Sequence, residues 1–468
     1  MTNTNYDIAV IGGGPAGYIA AIRAARGGAS TCLIEADSKL GGTCLRRGCI
    51  PTKFYLEVAR TLDSIAGKDT KRRGISINRS AVEFDLAKSL KEKNRTIDRL
   101  SGGITTLLDD AGVTKLSGFA RVTPDRKIII KGEAESQEIA ARHIIVAGGS
   151  TPTRLPIDGL DLCDMITSDE ILDLTEVPKR LTIIGGGVIG IEMARIFLAF
   201  GSEVTIVELA DRLAPFLDHD LDRPLLDSLR RRAEIHTGRS VAAGKRNEVE
   251  IVLSLDDDTQ ISTDCVLVAV GRSPQTDALA ELDVERDPRG FIEVDDYMQT
   301  SIEGIYAPGD INGRSMLAHT AMKMGELAAD HAIGHPAKPI NFRRVPGAIY
   351  GRPEVGYIGL TEKEAREQYG DAVRVGRFPF QASGRAVASG EPAGLVKIVT
   401  ESRLGEILGV HILGPEATEL IGPIAALMEA EATVDELIRA TFAHPTCSEA
   451  IMEAAADCHD ECLHLPGK

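Results

Sequence analysis

One glycine fingerprint is written twice in this chain, and it constrains the fold more than any other feature. Tyr6 to Ile11 has the apolar run of a buried strand. It leads into Gly12-Gly13-Gly14-Pro15-Ala16-Gly17, an alanine-rich helical stretch to about Arg26, and a strand, Thr31 to Ile34, ending in Glu35. The order recurs in Leu181 to Ile184, Gly185-Gly186-Gly187-Val188-Ile189-Gly190, a helical stretch to about Phe200, and Val204 to Val207 ending in Glu208. Gly12 to Glu35 and Gly185 to Glu208 are both separations of 23 residues. Glycines so placed permit a tight turn, a close approach of a pyrophosphate and close helix–strand packing. The helix N-terminus offers free N–H groups, and the acid can accept from a ribose diol. One such motif is weak, but two with matched spacing in a strand–turn–helix–strand context are strong. They predict an α/β fold with two Rossmann-like dinucleotide-binding domains and electron flow between two cofactors. Glu208 favours a free ribose hydroxyl, hence NAD(H) over NADP(H), with Arg212 nearby as a counter-signal.

Composition removes other classes. Hydrophobic residues are 43% of 468, enough for real cores. A net charge of -16 and the absence of Trp exclude a nucleic-acid binder. No apolar run is long enough to span a membrane, and Met1 to Asn5 has no signal-peptide character. A cytoplasmic protein is expected, and in that reducing setting eight cysteines do not read as a structural disulfide framework.

Cys44 and Cys49 stand in Gly41-Gly42-Thr43-Cys44-Leu45-Arg46-Arg47-Gly48-Cys49-Ile50-Pro51-Thr52-Lys53. Residues five apart on a regular helix have Cα atoms roughly 8–9 Å apart, beyond the limit of about 7 Å for a disulfide. If the pair closes, the segment is distorted, with Gly48 and Pro51 as disruptors. A nearby helix start and Arg46 and Arg47 favour a thiolate. A metal site and two inert thiols are the competing readings, though the spacing is looser than that of zinc sites.

Further along, His444 precedes Pro445 and a helix of roughly Ser448 to Cys458, a setting for an exposed imidazole titrating near neutrality. Thr446-Cys447-Ser448-Glu449 fits a capping box. Cys458 and Cys462 share a face if the helix continues, with His459 and His464 close by. That tail reads as a second shuttle dithiol, a metal site or spare thiols. Cys32, Cys163 and Cys265 lie in or beside apolar stretches and read as core thiols. Phe84 to Ala111 reads as a long charged helix, Val113 to Ile130 as strands, and Asp256-Asp257-Asp258 as a hairpin turn. Strands around Leu395 to Ile412 precede helices from Glu416 on.

Along essentially its whole length the sequence resembles the flavin-dependent pyridine nucleotide-disulfide oxidoreductases (class I). Ala147-Gly148-Gly149-Ser150 resembles the family's turn near the FAD adenosine, and Val268 to Thr276 the segment closing the NAD domain. Tyr306-Ala307-Pro308-Gly309-Asp310 resembles the second FAD motif, and Leu317-Ala318-His319 the segment that approaches the flavin ring. Pro353 to Thr361, Phe380 to Ala386 and Ala443 to Glu449 are similar to the dihydrolipoyl dehydrogenase branch.

The resemblance implies the following site. FAD would be held by Gly12, Gly14, Pro15, Ala16, Gly17, Glu35, Gly42, Thr43, Lys53, Ala120, Ala147, Gly148, Gly149, Asp310 and Ala318. NAD would be held by Gly185, Gly187, Gly190, Glu208 and Gly271. Cys44 and Cys49 would form the redox disulfide, and Lys53 would pair with Glu192 beside the flavin. His444, oriented by Glu449, would be the acid/base supplied by the partner subunit of a homodimer. The substrate would be a lipoyl dithiol, free or in a 2-oxoacid dehydrogenase complex, with no metal, nucleic acid or membrane involved. The implied division is an FAD domain (1–150), an NAD domain (151–273), a central domain completing the FAD site (274–342) and an α+β interface domain (343–468). The alternatives are an NAD(P)H-dependent reductase of another disulfide or of a metal ion such as Hg(II), and a docking or electron-transfer subunit. Arg46, Arg47 and the Cys458–Cys462 tail depart from the family pattern.

Overall fold

The computed structural model describes residues 5–66, 72–78, 82–132 and 136–466; Met1 to Thr4, where a signal peptide would begin, lie outside them. Three large sheets organise the described residues. In the first, β1 (Asn5–Ile11) lies between β2 (Thr31–Glu35) and the strand Ser136–Val146, parallel to both. Thr114–Ser117 extends it beyond β2, while Lys127–Lys131 and Phe119–Val122 add antiparallel strands on the other side. The short strand Ile305–Tyr306 returns late in the chain to pair with Ser136–Val146. Ile8, Ala9 and Val10 are wholly buried, as expected of a parallel strand covered on both faces.

The second parallel sheet repeats the arrangement, with the order Ala233–Thr237, Glu203–Glu208, Arg180–Ile184, Cys265–Val268 and Ile166–Thr167. An antiparallel sheet of Val241–Arg246, Ile251–Leu255 and Gln260–Thr263 flanks it. Asp256 to Asp258 form the turn expected between the last two strands, with Asp258 at φ 65°. The third main sheet is antiparallel, in the order Gly347–Ile349, Glu354–Gly359, Ile407–Gly414, Leu395–Glu401 and Val373–Pro379. Helices Ala417–Glu429 and Glu449–Asp457 bury Ile421, Ile424, Ala450 and Ile451 against it.

Small residues set the close approaches. The helix α1 (Pro15–Arg26) lies so near the helix Ala318–Ala332 that a side chain at Gly325 would collide with the Ala16 carbonyl. That contact holds Ala318 and the Gly309-Asp310 turn beside the first fingerprint. The expected long helix spans Leu86–Asp110 and is capped by Asp85, which accepts from the Lys88 N–H.

Candidate active site

Each glycine of the fingerprint has its own task, and the tasks are the same in both copies. Gly12 and Gly185 adopt φ of 100° and 112°, open to glycine without strain. Side chains there would strike the carbonyls of Ala147 and Ala269. At Gly17 and Gly190 a side chain would strike the carbonyls of Gly12 and Gly185, so these two glycines seat the helix on the turn. Gly187 faces open space, and Gly14 has only the Gly42 Cα, at 3.8 Å, within reach. The acids close the cradle. Gly13 N–H donates to Glu35 Oε2 at 2.6 Å and Asp37 N–H to Oε1 at 2.8 Å. Gly186 and Ala210 N–H groups bind Glu208 in the same way.

Both cradles open into one cavity of about 1370 Å³, larger than the few hundred to about 1,000 Å³ of ordinary ligand pockets. The open faces of Gly14 and Gly187, two helix N-termini and two fixed carboxylates fit two dinucleotides. Of the residues expected to hold FAD, all but Gly17 line the cavity, and of those for NAD all but Gly190. Those two lie behind the cradle surface.

Between the cradles stands the cysteine pair. The helix α2 (Gly42–Arg47) stops at Gly48, whose φ of -140° and ψ of -107° break it, and the helix α3 (Cys49–Ala66) restarts at Cys49. Pro51 falls in the first turn of α3, where its missing N–H does no harm, so Gly48 alone makes the break. Cys44 Sγ–H donates to Cys49. That bond, with the nearby Lys53 charge, lowers Cys49 to about 7 against the pull of burial. The same bond, then burial, raises Cys44. Arg46 and Arg47 both pair with Asp37, Arg47 at 3.0 Å, and Arg47 lines the cavity with the cysteines.

Lys53 Nζ sits 3.0 Å from both oxygens of buried Glu192 and 4.2 Å from the centre of the Tyr350 ring. Tyr350 N–H donates to Glu192 Oε1 at 2.9 Å, and its carbonyl accepts from Arg195 Nη1 at 2.6 Å. Across the cavity Ser150 Oγ donates to Asp310 Oδ2 at 2.6 Å and accepts from Arg272 Nε at 2.7 Å. Burial raises the Asp310 carboxyl. His319 Nε2 lies 2.8 Å from the Pro346 carbonyl, and burial lowers its pKa. Tyr350 and Arg272 escape a reading of the sequence, since no local spacing links them to Lys53 or Asp310. Arg212 is committed elsewhere, bonded to Asp222 at 2.6 and 2.7 Å, and it does not line the cavity.

His444 Nδ1 is 2.9 Å from Glu449 Oε1, but neither residue lines the cavity of its own chain. The His444 side chain is 79% exposed. The capping box forms only by half: Thr446 N–H donates to Glu449 Oε2 at 2.8 Å, and that bond, ahead of His444, lowers the Glu449 pKa. Thr446 Oγ1 instead donates to the Ala443 carbonyl, so it leaves the helix start uncapped.

The tail differs from expectation. The helix ends at Asp457, and the Glu461 N–H reaches back to the Ala456 carbonyl with Asp460 at φ 60°. Cys458 is therefore buried in the core, while Cys462 donates to Glu453 Oε2 at 3.0 Å, and the two share no helical face. Among the described residues no group of three or more His, Cys, Asp or Glu side chains is arranged to hold a metal. Cys32 is buried, with its thiol pushed up to about 12, and Cys265 is half-buried. Cys163 is exposed, because it falls on a one-turn surface helix, Leu162–Asp164, bracketed by acids.

The pyridine nucleotide-disulphide oxidoreductase family matches residues 6–325, and its dimerisation domain matches residues 345–455. The chain is 41% identical over 451 residues to dihydrolipoyl dehydrogenase of Bacillus subtilis (strain 168), covering 96% of this chain and 97% of that one. It is 37% identical over 472 residues to dihydrolipoyl dehydrogenase of Trypanosoma brucei brucei, with 98% of each chain covered. Among solved structures, LpdA from Mycobacterium tuberculosis has a TM-score of 0.88 at 27% identity, covering 97% of this chain and 99% of that one. The HOCl-induced flavoprotein disulfide reductase RclA from Escherichia coli has a TM-score of 0.86 at 26% identity, covering 96% and 99%. No helix among the described residues is long and apolar enough to cross a membrane. With both parts of its length matched and a dithiol standing between two like cradles, the chain belongs to the pyridine nucleotide-disulphide oxidoreductase family.

Proposed function

We propose that this chain is a homodimeric, FAD-dependent enzyme that oxidises a lipoyl dithiol with NAD⁺. The observation that carries the reading is the pair Cys44 and Cys49, which line one cavity between two copies of one dinucleotide cradle. The cradle of Gly12 to Gly17 and Glu35, with Asp310 and Ala318 opposite, would hold FAD. That of Gly185 to Gly190 and Glu208 would hold NAD⁺. Bound FAD and NAD⁺ supply the two-electron redox chemistry that returns the reduced cysteine pair to its disulfide.

The remaining chemistry falls to side chains of this protein. His444 of a second copy, fixed by Glu449 through Nδ1, takes a proton from one substrate thiol. That thiolate attacks Cys44 Sγ of the Cys44–Cys49 disulfide. The S–S bond breaks, a substrate–Cys44 bond forms, and Cys49 departs as thiolate. Cys49 is taken as the departing sulfur because it begins the helix α3, whose N-terminus favours a thiolate, with the Lys53 charge nearby. The second substrate thiol, its proton removed through His444, then displaces Cys44, which leaves protonated and donates to Cys49. The substrate departs as a disulfide, the cysteine pair keeps two electrons, and one proton passes to solvent.

The same reading takes a lipoyl group of a 2-oxoacid dehydrogenase complex as the partner and the cytoplasm as the compartment, where free thiols persist. It also keeps the division at 1–150, 151–273, 274–342 and 343–468. A steady-state comparison of dihydrolipoamide, glutathione disulfide and Hg²⁺, each with NAD(H) and NADP(H), tests it. Dihydrolipoamide with NAD⁺ should turn over fastest, and Cys44→Ser should abolish that activity. Faster NAD(P)H-driven reduction of glutathione disulfide or Hg²⁺ would favour a reductase instead.

A further inference from the structure

Lys397 is a fully buried lysine far along the chain from the fingerprints, on the strand Leu395–Glu401 of the dimerisation domain. Its ammonium contacts three carboxylates: Asp218 Oδ1 at 2.7 Å, Asp220 Oδ2 at 2.9 Å and Glu362 Oε2 at 2.7 Å. Three donors meet three acceptors, so the buried charge is fully satisfied. Arg377, on the neighbouring strand, binds Asp220 and Glu362, each at 2.6 Å. Asp218 is as deeply buried as Lys397, and its second oxygen accepts the Glu362 N–H at 2.8 Å.

Asp218 and Asp220 belong to the other part of the chain. They end the segment that leaves Glu208, and three residues of that segment, Leu209, Pro215 and Phe216, line the cavity on the side of the second cradle. Arg212 knits the segment to itself by bonding Asp222 and the Leu217 carbonyl. The Phe216 ring lies 5.5 Å from that of Tyr357, on the dimerisation sheet. The wall beside Glu208 is thus carried by the second Rossmann-like unit but anchored on the third sheet.

We propose that Lys397 is a positioning residue for the nicotinamide dinucleotide site, acting through Asp218 to fix the wall of Leu209, Pro215 and Phe216. This rests on the reading that the Glu208 cradle holds NAD(H). A desolvated ammonium with three partners permits one arrangement of the segment, whereas an apolar contact there would permit several. None of Lys397, Asp218, Asp220 and Glu362 lines the cavity in which the dithiol stands.

The test compares Lys397→Met, Asp218→Asn and the double variant as FAD-loaded enzymes. NADH affinity is read by direct titration, and flavin reduction by dihydrolipoamide is followed anaerobically without nucleotide. Each single variant should weaken NADH binding about tenfold. The double variant should be no worse than Lys397→Met alone, because that change already removes the Asp218 contact along with those to Asp220 and Glu362. The rate of flavin reduction by dihydrolipoamide should stay at the wild-type value. Wild-type NADH affinity in any folded variant would overturn the proposal, as would additive losses or a matching loss in the dithiol half-reaction. If Lys397→Met does not fold, Asp218→Asn decides the outcome alone. Failure of the wild-type enzyme to bind NADH would instead remove the reading of the Glu208 cradle itself.

Discussion

Glu192 bonds Lys53 Nζ with both carboxylate oxygens at 3.0 Å, so the lysine charge that lowers Cys49 is itself held in place by an anion. The two charges act on Cys49 in opposite directions, Lys53 lowering its pKa and Glu192 raising it. The net position near 7 is a balance of the Cys44 bond, burial and these two charges.

Separating these charges should therefore move Cys49 in opposite senses. In the reduced protein, iodoacetamide labelling of Cys49 followed by mass spectrometry should have a midpoint near pH 7. Lys53→Met removes a stabilising cation and should raise that midpoint by about one pH unit. Glu192→Gln removes the opposing anion and should lower it. Shifts of the same sign in both variants would show that the pair acts by packing and not by charge.

Cys44 is the stronger influence, since its S–H bond to Cys49 is the largest cause of the low pKa. Cys44→Ala removes the donor and should carry the Cys49 midpoint upward, toward the ordinary thiol range. Cys44→Ser keeps a donor at that place and should leave the midpoint lower than in Cys44→Ala. Equal midpoints in the two variants would assign the effect to Lys53 alone.

The second cradle separates a binding glycine from a packing glycine. A methyl at Gly187 would have no heavy atom within 4 Å, and the residue sits at φ -78°, which alanine adopts freely. Gly187→Ala should fold with unchanged thermal stability and lose NADH affinity about tenfold or more, because its methyl fills the open face of the cradle. A methyl at Gly190 would meet the Gly185 carbonyl, which is backbone and has no rotamer to yield. Gly190→Ala should lower stability by about 1–3 kcal/mol or more. Calorimetry and NADH titration on both variants distinguish these outcomes.

What the sequence makes legible is local. Gly12, Gly185, Glu35 and Glu208 perform their tasks within one strand–turn–helix–strand unit, so spacing alone locates them. Cys44 and Cys49 are equally legible, because Gly48 must break the helix between them. Tyr350, Arg272 and Lys397 act on residues more than a hundred positions away, and only packing of distant elements brings them there. Arg46 and Arg47 share Asp37 on the neighbouring loop, and the cation that lowers Cys49 is Lys53, one helical turn further on, which spacing alone does not single out. Cys458 and Cys462 mislead because a left-handed Asp460 ends the helix that would have aligned them.

His444 and Glu449 bond to each other yet stand away from the cavity of their own chain, an arrangement that suits a site completed by a second copy. Separate His444→Gln and Cys44→Ser variants should each be nearly inactive, the histidine change removing about 10²–10⁴ in rate. Co-expressing the two gives a decisive outcome. In a mixed dimer, one site pairs Cys44 of the first subunit with His444 of the second, both intact, while the other site carries both defects. Each mixed dimer then has one working site, and random pairing makes about half of the dimers mixed. Activity should return to about a quarter of wild type, and separating the mixed dimers by differential tags should raise it to about half. No recovery in purified mixed dimers would mean that each chain uses its own histidine.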